Sequence, residues 1–141
     1  MIGDPDIAFA DITIVPVPSR NKADYVAFSR RIGAIYREHG ALRVVDFWHE
    51  RAAGEDADYH ASAAMEGYAL GSLPDLRRQA GATEDETVVV SLIEWPNRAV
   101  RDRAMAAVAH DPRIAATLTE DPVFDGTRLI AGAFSIALDL A

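Results

Sequence analysis

At 141 residues and 15.3 kDa, half of them hydrophobic, the chain has apolar mass for one core and is read as one domain over residues 1–141. A formal net charge of −8, with 22 acids against 14 bases and no basic run longer than a pair, is repelled by phosphate backbones and anionic bilayers, so neither nucleic acid nor a membrane is expected as a partner. The absence of cysteine removes disulfides, thiolate metal sites and a cysteine nucleophile together, and no apolar run approaches the roughly 18 residues of a membrane span.

The N-terminal MIGDPDIAFAD has no basic segment followed by an apolar one, so a cytoplasmic protein is expected. The segment IAFADITIVPV, Ile7 to Val17, alternates well enough for a strand. Ala8, Ala10, Ile12 and Ile14 fall on one parity, Phe9, Asp11, Thr13 and Val15 on the other, and Pro16 and Pro18 close it. Asn21 is placed to cap a helix, with Asp24 at its third position. Tyr25, Phe28, Ile32, Ile35 and His39 then recur at spacings of three and four, so a helix is expected from about Lys22 to His39, ended by Gly40.

Ala41 to His49 carries Leu42, Val44 and Trp48 against Val45 and Phe47, which predicts a strand covered on both faces. From Glu50 to Ala82 the pattern dissolves into an inserted loop rich in alanine, glycine and acids, with a short helix possible over Asp58 to Leu70. The acidic turn Thr83 to Glu86 leads into Thr87–Trp95, β-branched and aromatic nearly throughout and again apolar on both parities. Pro96 ends that strand, and Asn97 can cap a helix from Arg98 to about His110. Pro112 opens a further short helix through Leu118. Arg128 to Leu138 is the last strand, with bulky Ile130, Phe134, Ile136 and Leu138 on one side and Leu129, Ala131, Ala133, Ser135 and Ala137 on the other.

Strand, helix, strand, long loop, strand, helix, strand is the split βαβ order of an α+β, ferredoxin-like fold: a four-stranded antiparallel sheet with both helices on one face. Two helices cover one face only, yet the second and third strands are apolar on both. A second copy packed sheet to sheet is the expected cover, giving a homodimeric α/β barrel with a cavity between the sheets, approached over the small residues Ala131, Ala133, Ser135 and Ala137. A monomer whose 50–82 loop folds over the sheet is the alternative.

The segments VPVPSRNKADY, EHGALRVVDFW, ATEDETVVVSLIEWPNRAVRD, DPRI and FDGTRLIAG resemble, in this order, the YbaA-like family of bacterial domains of unknown function. The resemblance runs over nearly the whole chain and implies ferredoxin-like protomers in a dimeric α/β barrel, with no established reaction to transfer. The chain departs from it between Trp48 and Pro74, where extra residues include Tyr59-His60 and Met65 to Tyr68.

If Ile12, Ile14, Val88, Val90 and Leu92 face the helices, the opposite face collects Asp11, Thr13, Ser91 and Ser135 as a polar cluster inside the apolar cavity. Asp11 is there the first candidate for a general base. The competing reading pairs Asp11 across the dimer interface with an arginine such as Arg43, or leaves it solvated near the strand's end. Trp48, His49 and Trp95 fall near strand ends, at the mouth of such a cavity, where aromatics line ligand sites and His49 can assist Asp11; core or interface packing for the tryptophans and a satisfied surface position for His49 are the commoner reading. His39 and His110 end helices, which helix-dipole capping accounts for. Glu55, Asp56, Asp58 and His60 lack the spacing of a metal loop and read as solvated, so no metal and no cofactor are expected. Three functions follow: binding of a small, mostly apolar molecule between the sheets; a cofactor-independent monooxygenase or isomerase with Asp11 as base and His49 assisting; or a ligand-free scaffold.

Overall fold

A computed structural model of the chain describes residues 7–50 and 75–141. In order these form β1 (Phe9–Pro18), α1 (Lys22–Glu38), β2 (Arg43–Trp48), a one-turn helix α2 (Leu76–Gln79), β3 (Glu86–Trp95), α3 (Arg98–Val108), the short α4 (Pro112–Ala116) and β4 (Ile130–Ser135). The strands align β2-β3-β1-β4 with every pairing antiparallel. Each helical crossover therefore skips one strand, and the fold is ferredoxin-like. Of the inserted loop expected over 50–82, residues 51–74, with the helix considered over Asp58 to Leu70, lie outside the described residues, and the remainder carries α2.

Local signals act largely as expected. Asn97 is extended and its side chain accepts from the Val100 amide at 2.9 Å, while Asp111 does the same for Arg113 at 2.8 Å ahead of Pro112. Gly40 takes φ +109 after α1, and a Cβ there would stand 2.9 Å from Val100 Cγ1, so both backbone and space demand glycine. Asn21 departs from the expectation. A 3-10 turn over Ser19–Asn21 feeds α1, and the Asn21 amide reaches away to donate to the Val123 carbonyl at 3.1 Å. Pro18 is the last residue of β1, as expected, and pairing with β3 runs past Pro16 as far as Pro18↔Glu86. Ser19 N–H bonds the Asp85 carbonyl, so the odd-numbered amides face β3 and the two prolines point to the side where β4 has stopped pairing at Ile14.

The principal correction concerns the faces of the sheet. Side chains of Asp11, Ser91 and Asp46 are bonded by Arg101 of α3 and by Tyr25 and Ser29 of α1, which places this parity under the helices. Cross-strand pairing carries Thr13, Ala131, Ala133 and Ser135 onto the same side. Ile12, Ile14, Val90, Leu92, Val45, Phe47, Ile130 and Phe134 form the opposite face, which is helix-free among the described residues. There Phe47, Ile130 and Phe134 are 53%, 52% and 49% exposed. The expected phase is thus inverted, because strands apolar on both parities do not indicate which parity the helices take. The small residues of β4 consequently do not lie on the face available to a second sheet.

Under the helices the core has two parts. Phe9, Ala41, Trp95 and Ala104 pack with Tyr36, Ile93, Val100 and Met105 near α3, and Val15, Val17, Tyr25 and Val89 pack with Trp48, Val123 and Phe124 near the start of α1. Trp95 is wholly buried. Its truncation to alanine belongs to the class of core deletions that cost about 3–5 kcal/mol.

The start of β3 is held by one acid. Glu86 accepts from both terminal nitrogens of Arg128, one at 3.0 Å, and from the Thr83 amide at 3.0 Å, so the turn before β4 is tied to the turn before β3. The Arg128 hydrogen bonds, opposed by burial and aided by Thr83, push its carboxyl from 4.5 down to about 2. A depressed folded-state value means stability that is full above the unfolded pKa and lost as pH falls through the folded one. We therefore expect acid destabilisation between about pH 4.5 and 2, on the order of 2 kcal/mol from this group. Urea unfolding of Glu86→Gln should show that loss already at neutral pH and a flatter acid limb; identical acid limbs in the two proteins would refute the assignment.

Candidate functional site

α1 lies across the sheet with Tyr25, Ser29, Ile32, Gly33 and Tyr36 turned inward, a sequence of three- and four-residue steps along one stripe. At Gly33 the helix approaches β2 closely: a Cβ would sit 3.3 Å from Val44 Cγ1. Towards β1 and β3 the helix stands further off and leaves a cleft. Its inner part, about 250 Å³ and open on one side, is bounded by Thr13, Val44, Ile93, Phe124 and Leu129 with the inward residues of α1. A second space of about 370 Å³ continues it beneath α3, between Asp11, Arg101, Met105, Ala131 and Ala133, and the two share Thr13, Tyr36 and Ile93.

Each end of this cleft has its own polar group. At the α3 end, Arg101 grips Asp11 through Nε, 3.1 and 3.0 Å from its two oxygens, and Nη2, 2.8 Å from Oδ1. Trp95 Nε1 donates to Oδ2 at 2.9 Å. Both carboxylate oxygens are therefore engaged, and the hydrogen bonds that Arg101 donates to Asp11 raise its pKa further above its ordinary value, keeping the guanidinium charged. Burial also raises the Tyr36 phenol.

At the β2 end, Tyr25 Oη and Ser91 Oγ lie 3.3 Å apart, and Ser29 Oγ donates to Asp46 Oδ2. Burial, with the Asp46 charge adding to it, pushes the Tyr25 phenol up to about 12, so it remains a neutral hydroxyl at physiological pH. Phe124 sits 5.8 Å from the Tyr25 ring and 5.9 Å from Phe28, walling this end with aromatic faces. A broader groove of about 490 Å³ runs outside α1 against residues 117–126. It is edged by the exposed Arg31–Glu120 pair and brings together no set of buried polar groups, so the inner cleft is the better site.

Of the residues singled out from the sequence, Asp11, Thr13, Ser91 and Trp95 come together in or beside this cleft, on the helix side of the sheet and not between sheets. Arg43 does not meet Asp11; it lies on the helix-free face beside Glu94 at 3.9 Å. Trp48 packs against Tyr25 at 6.2 Å with Lys22 Nζ 5.4 Å from its ring, as core. Ser135 pairs with Phe9 at the end of β4 and is exposed, outside the cleft lining. His49 donates its amide to Val88, whereas Asp11 pairs with Ile93. Five residues of β3 at about 3.4 Å each, roughly 17 Å, separate them along the strand, and His49 cannot assist Asp11. Among the described residues no group of three or more histidines and acids could hold a metal, and the acids at 55–58 lie outside those residues. Sequence reasoning missed Tyr25, Ser29, Asp46 and Arg101. The available signal was Asp46 itself, an acid set between Val45 and Phe47 in an otherwise apolar strand.

The Asp11 geometry makes a separable prediction. Asp11→Ala leaves the Trp95 N–H without its acceptor and a partly buried guanidinium with only the more exposed Asp102, and should cost about 2–4 kcal/mol in urea unfolding. Adding Arg101→Leu should restore part of that loss; a double variant that loses the sum of both singles would show that the pairing contributes nothing.

A family signature described as a protein of unknown function (DUF1428) matches residues 8–126. The uncharacterized protein YbaA of Escherichia coli is 33% identical over 131 residues, covering 93% of this chain and 97% of its own length, and the Shigella flexneri protein of that name matches to the same extent. Among solved structures, a dimeric ferredoxin-like protein from an uncultured marine organism superposes with a TM-score of 0.54 at 8% identity, over 95% of this chain and 99% of that one. That likeness speaks for the fold alone. With most of its length matched by the family signature and by YbaA, the chain belongs to the DUF1428 family.

Proposed function

We propose that the protein is a homodimer that binds a small, mostly apolar molecule in the cleft between its helices and its sheet. The observation that carries the ligand reading is the convergence of Tyr25, Ser29, Asp46 and Ser91 on a partly open cleft otherwise walled by Ile32, Val44, Ile93, Phe124 and Leu129. Polar groups are costly under a helix, and a sheet needing only to pack would place aliphatic residues there. The homodimer reading rests on the helix-free face, where Phe47, Ile130 and Phe134 are about half exposed beside Ile12, Ile14, Val45, Val90 and Leu92. A contiguous apolar surface of this kind is normally covered by a partner. The dimeric state of the marine ferredoxin-like protein is in keeping with this, and a chain without cysteine suits the reducing cytoplasm.

The enzyme reading, a cofactor-independent monooxygenase or isomerase with Asp11 as base, has less support, since both Asp11 oxygens accept from Arg101 and Trp95. The ligand-free scaffold reading would need the cleft filled by side chains, against volumes of about 250 and 370 Å³.

Native mass spectrometry tests both halves at once. The expected species has twice the 15.3 kDa protomer mass and carries a small-molecule adduct released on denaturation. Phe47→Glu with Phe134→Glu should convert it to a folded monomer, because charges facing one another across an apolar interface cost several kcal/mol. A dimer unchanged by both substitutions would remove the sheet face as the interface, and an adduct retained after Ser91→Leu would remove the cleft as its site.

A further inference from the structure

The β2 end of the cleft is built of oxygen alone. Asp46 brings a carboxylate, Ser29 and Ser91 hydroxyls, and Tyr25 a phenol held neutral by burial. Their hydrogens are few and partly spent: Ser29 donates to Asp46, and one hydroxyl proton is used between Tyr25 and Ser91. Lone pairs remain in excess, including those on Asp46 Oδ1. Among the described residues Asp46 forms no ion pair. Arg30 borders the outer groove into which Asp46 also opens, but is not bonded to it. This contrasts with Asp11, whose charge Arg101 neutralises at the other end of the same cleft. A half-buried carboxylate with no cation of its own and with aromatic faces of Tyr25, Phe28 and Phe124 close by is suited to a guest that is itself a cation.

We propose that the guest of the cleft is a small protonated amine, its ammonium donating to Asp46 and to the Ser91 and Tyr25 oxygens and its apolar body lying towards Ile32, Ile93 and Leu129. The proposal rests on the cleft being the ligand site. An ammonium brings three donors to an end with more acceptors than donors, and its charge offsets that of Asp46. The net charge of −8 draws such a cation in and repels carboxylated or phosphorylated molecules of equal size.

Isothermal titration calorimetry with phenethylamine and phenethyl alcohol, which share a body and differ in the charged head, tests this on the intact protein near neutral pH. The amine should bind about tenfold or more tightly than the alcohol, and Asp46→Asn should abolish that preference while leaving the alcohol's affinity within about twofold. Asp24→Asn, an exposed acid on the outer side of α1, should change neither. Equal affinities in the wild-type protein, or an amine preference that survives Asp46→Asn, would overturn the amine assignment while alcohol binding lost in Ser91→Leu kept the cleft. Absence of binding by both probes at about 10 mM would overturn both.

Discussion

One carboxylate joins three elements of this fold. Asp11 stands in β1, accepts from the indole of Trp95 in β3, and is clasped by Arg101 on the second turn of α3. The consequence is geometric before it is energetic. A charge that must be met by a helix-borne cation can lie only on the helical face, and because side chains alternate along a strand, fixing Asp11 fixes Phe9, Thr13, Val15 and Val17 as well. Cross-strand pairing then transmits the choice to β3 and β4, so the position of Ser91 under α1 follows from the position of Asp11 under α3.

The same arrangement explains how much the sequence discloses. Element order, the turn chemistry of Asn97, Asp111 and Gly40 and the antiparallel sheet are local properties or follow from chain order, and they are readable. Phase is not readable in strands such as Val88 to Ile93, where both parities are apolar. The natural inference puts polar Asp11, Thr13 and Ser91 away from the helices, and it fails because helices also carry polar groups inward: Arg101 and Tyr25 look like an ordinary surface residue and an ordinary apolar-stripe residue until their partners are seen. Asn21 misleads for a related reason, its amide being drawn to Val123 by a contact 102 positions away.

The candidate site was legible in part. Asp11, Thr13, Ser91 and Trp95 were identified as residues worth explaining, yet the grouping that included Arg43 and His49 dissolves, since one lies on the other face and the other at the far end of β3. What emerges is a cleft with two acids of different standing. Asp11 is neutralised within the protein and belongs to its architecture; Asp46 accepts from the Ser29 hydroxyl and has no ion pair among the described residues.

Gly33 gives that cleft a simple means of adjustment. It lies in its wall at the point where α1 rests on Val44, and a methyl group added there would need the Val44 side chain, or the helix itself, to give by a few tenths of an ångström. A shift of the helix would move Tyr25, Ser29 and Tyr36 together, because they share it. The width of the cleft is thus tied to one close contact between a glycine and a valine in its wall, so it can change without altering any of its polar groups.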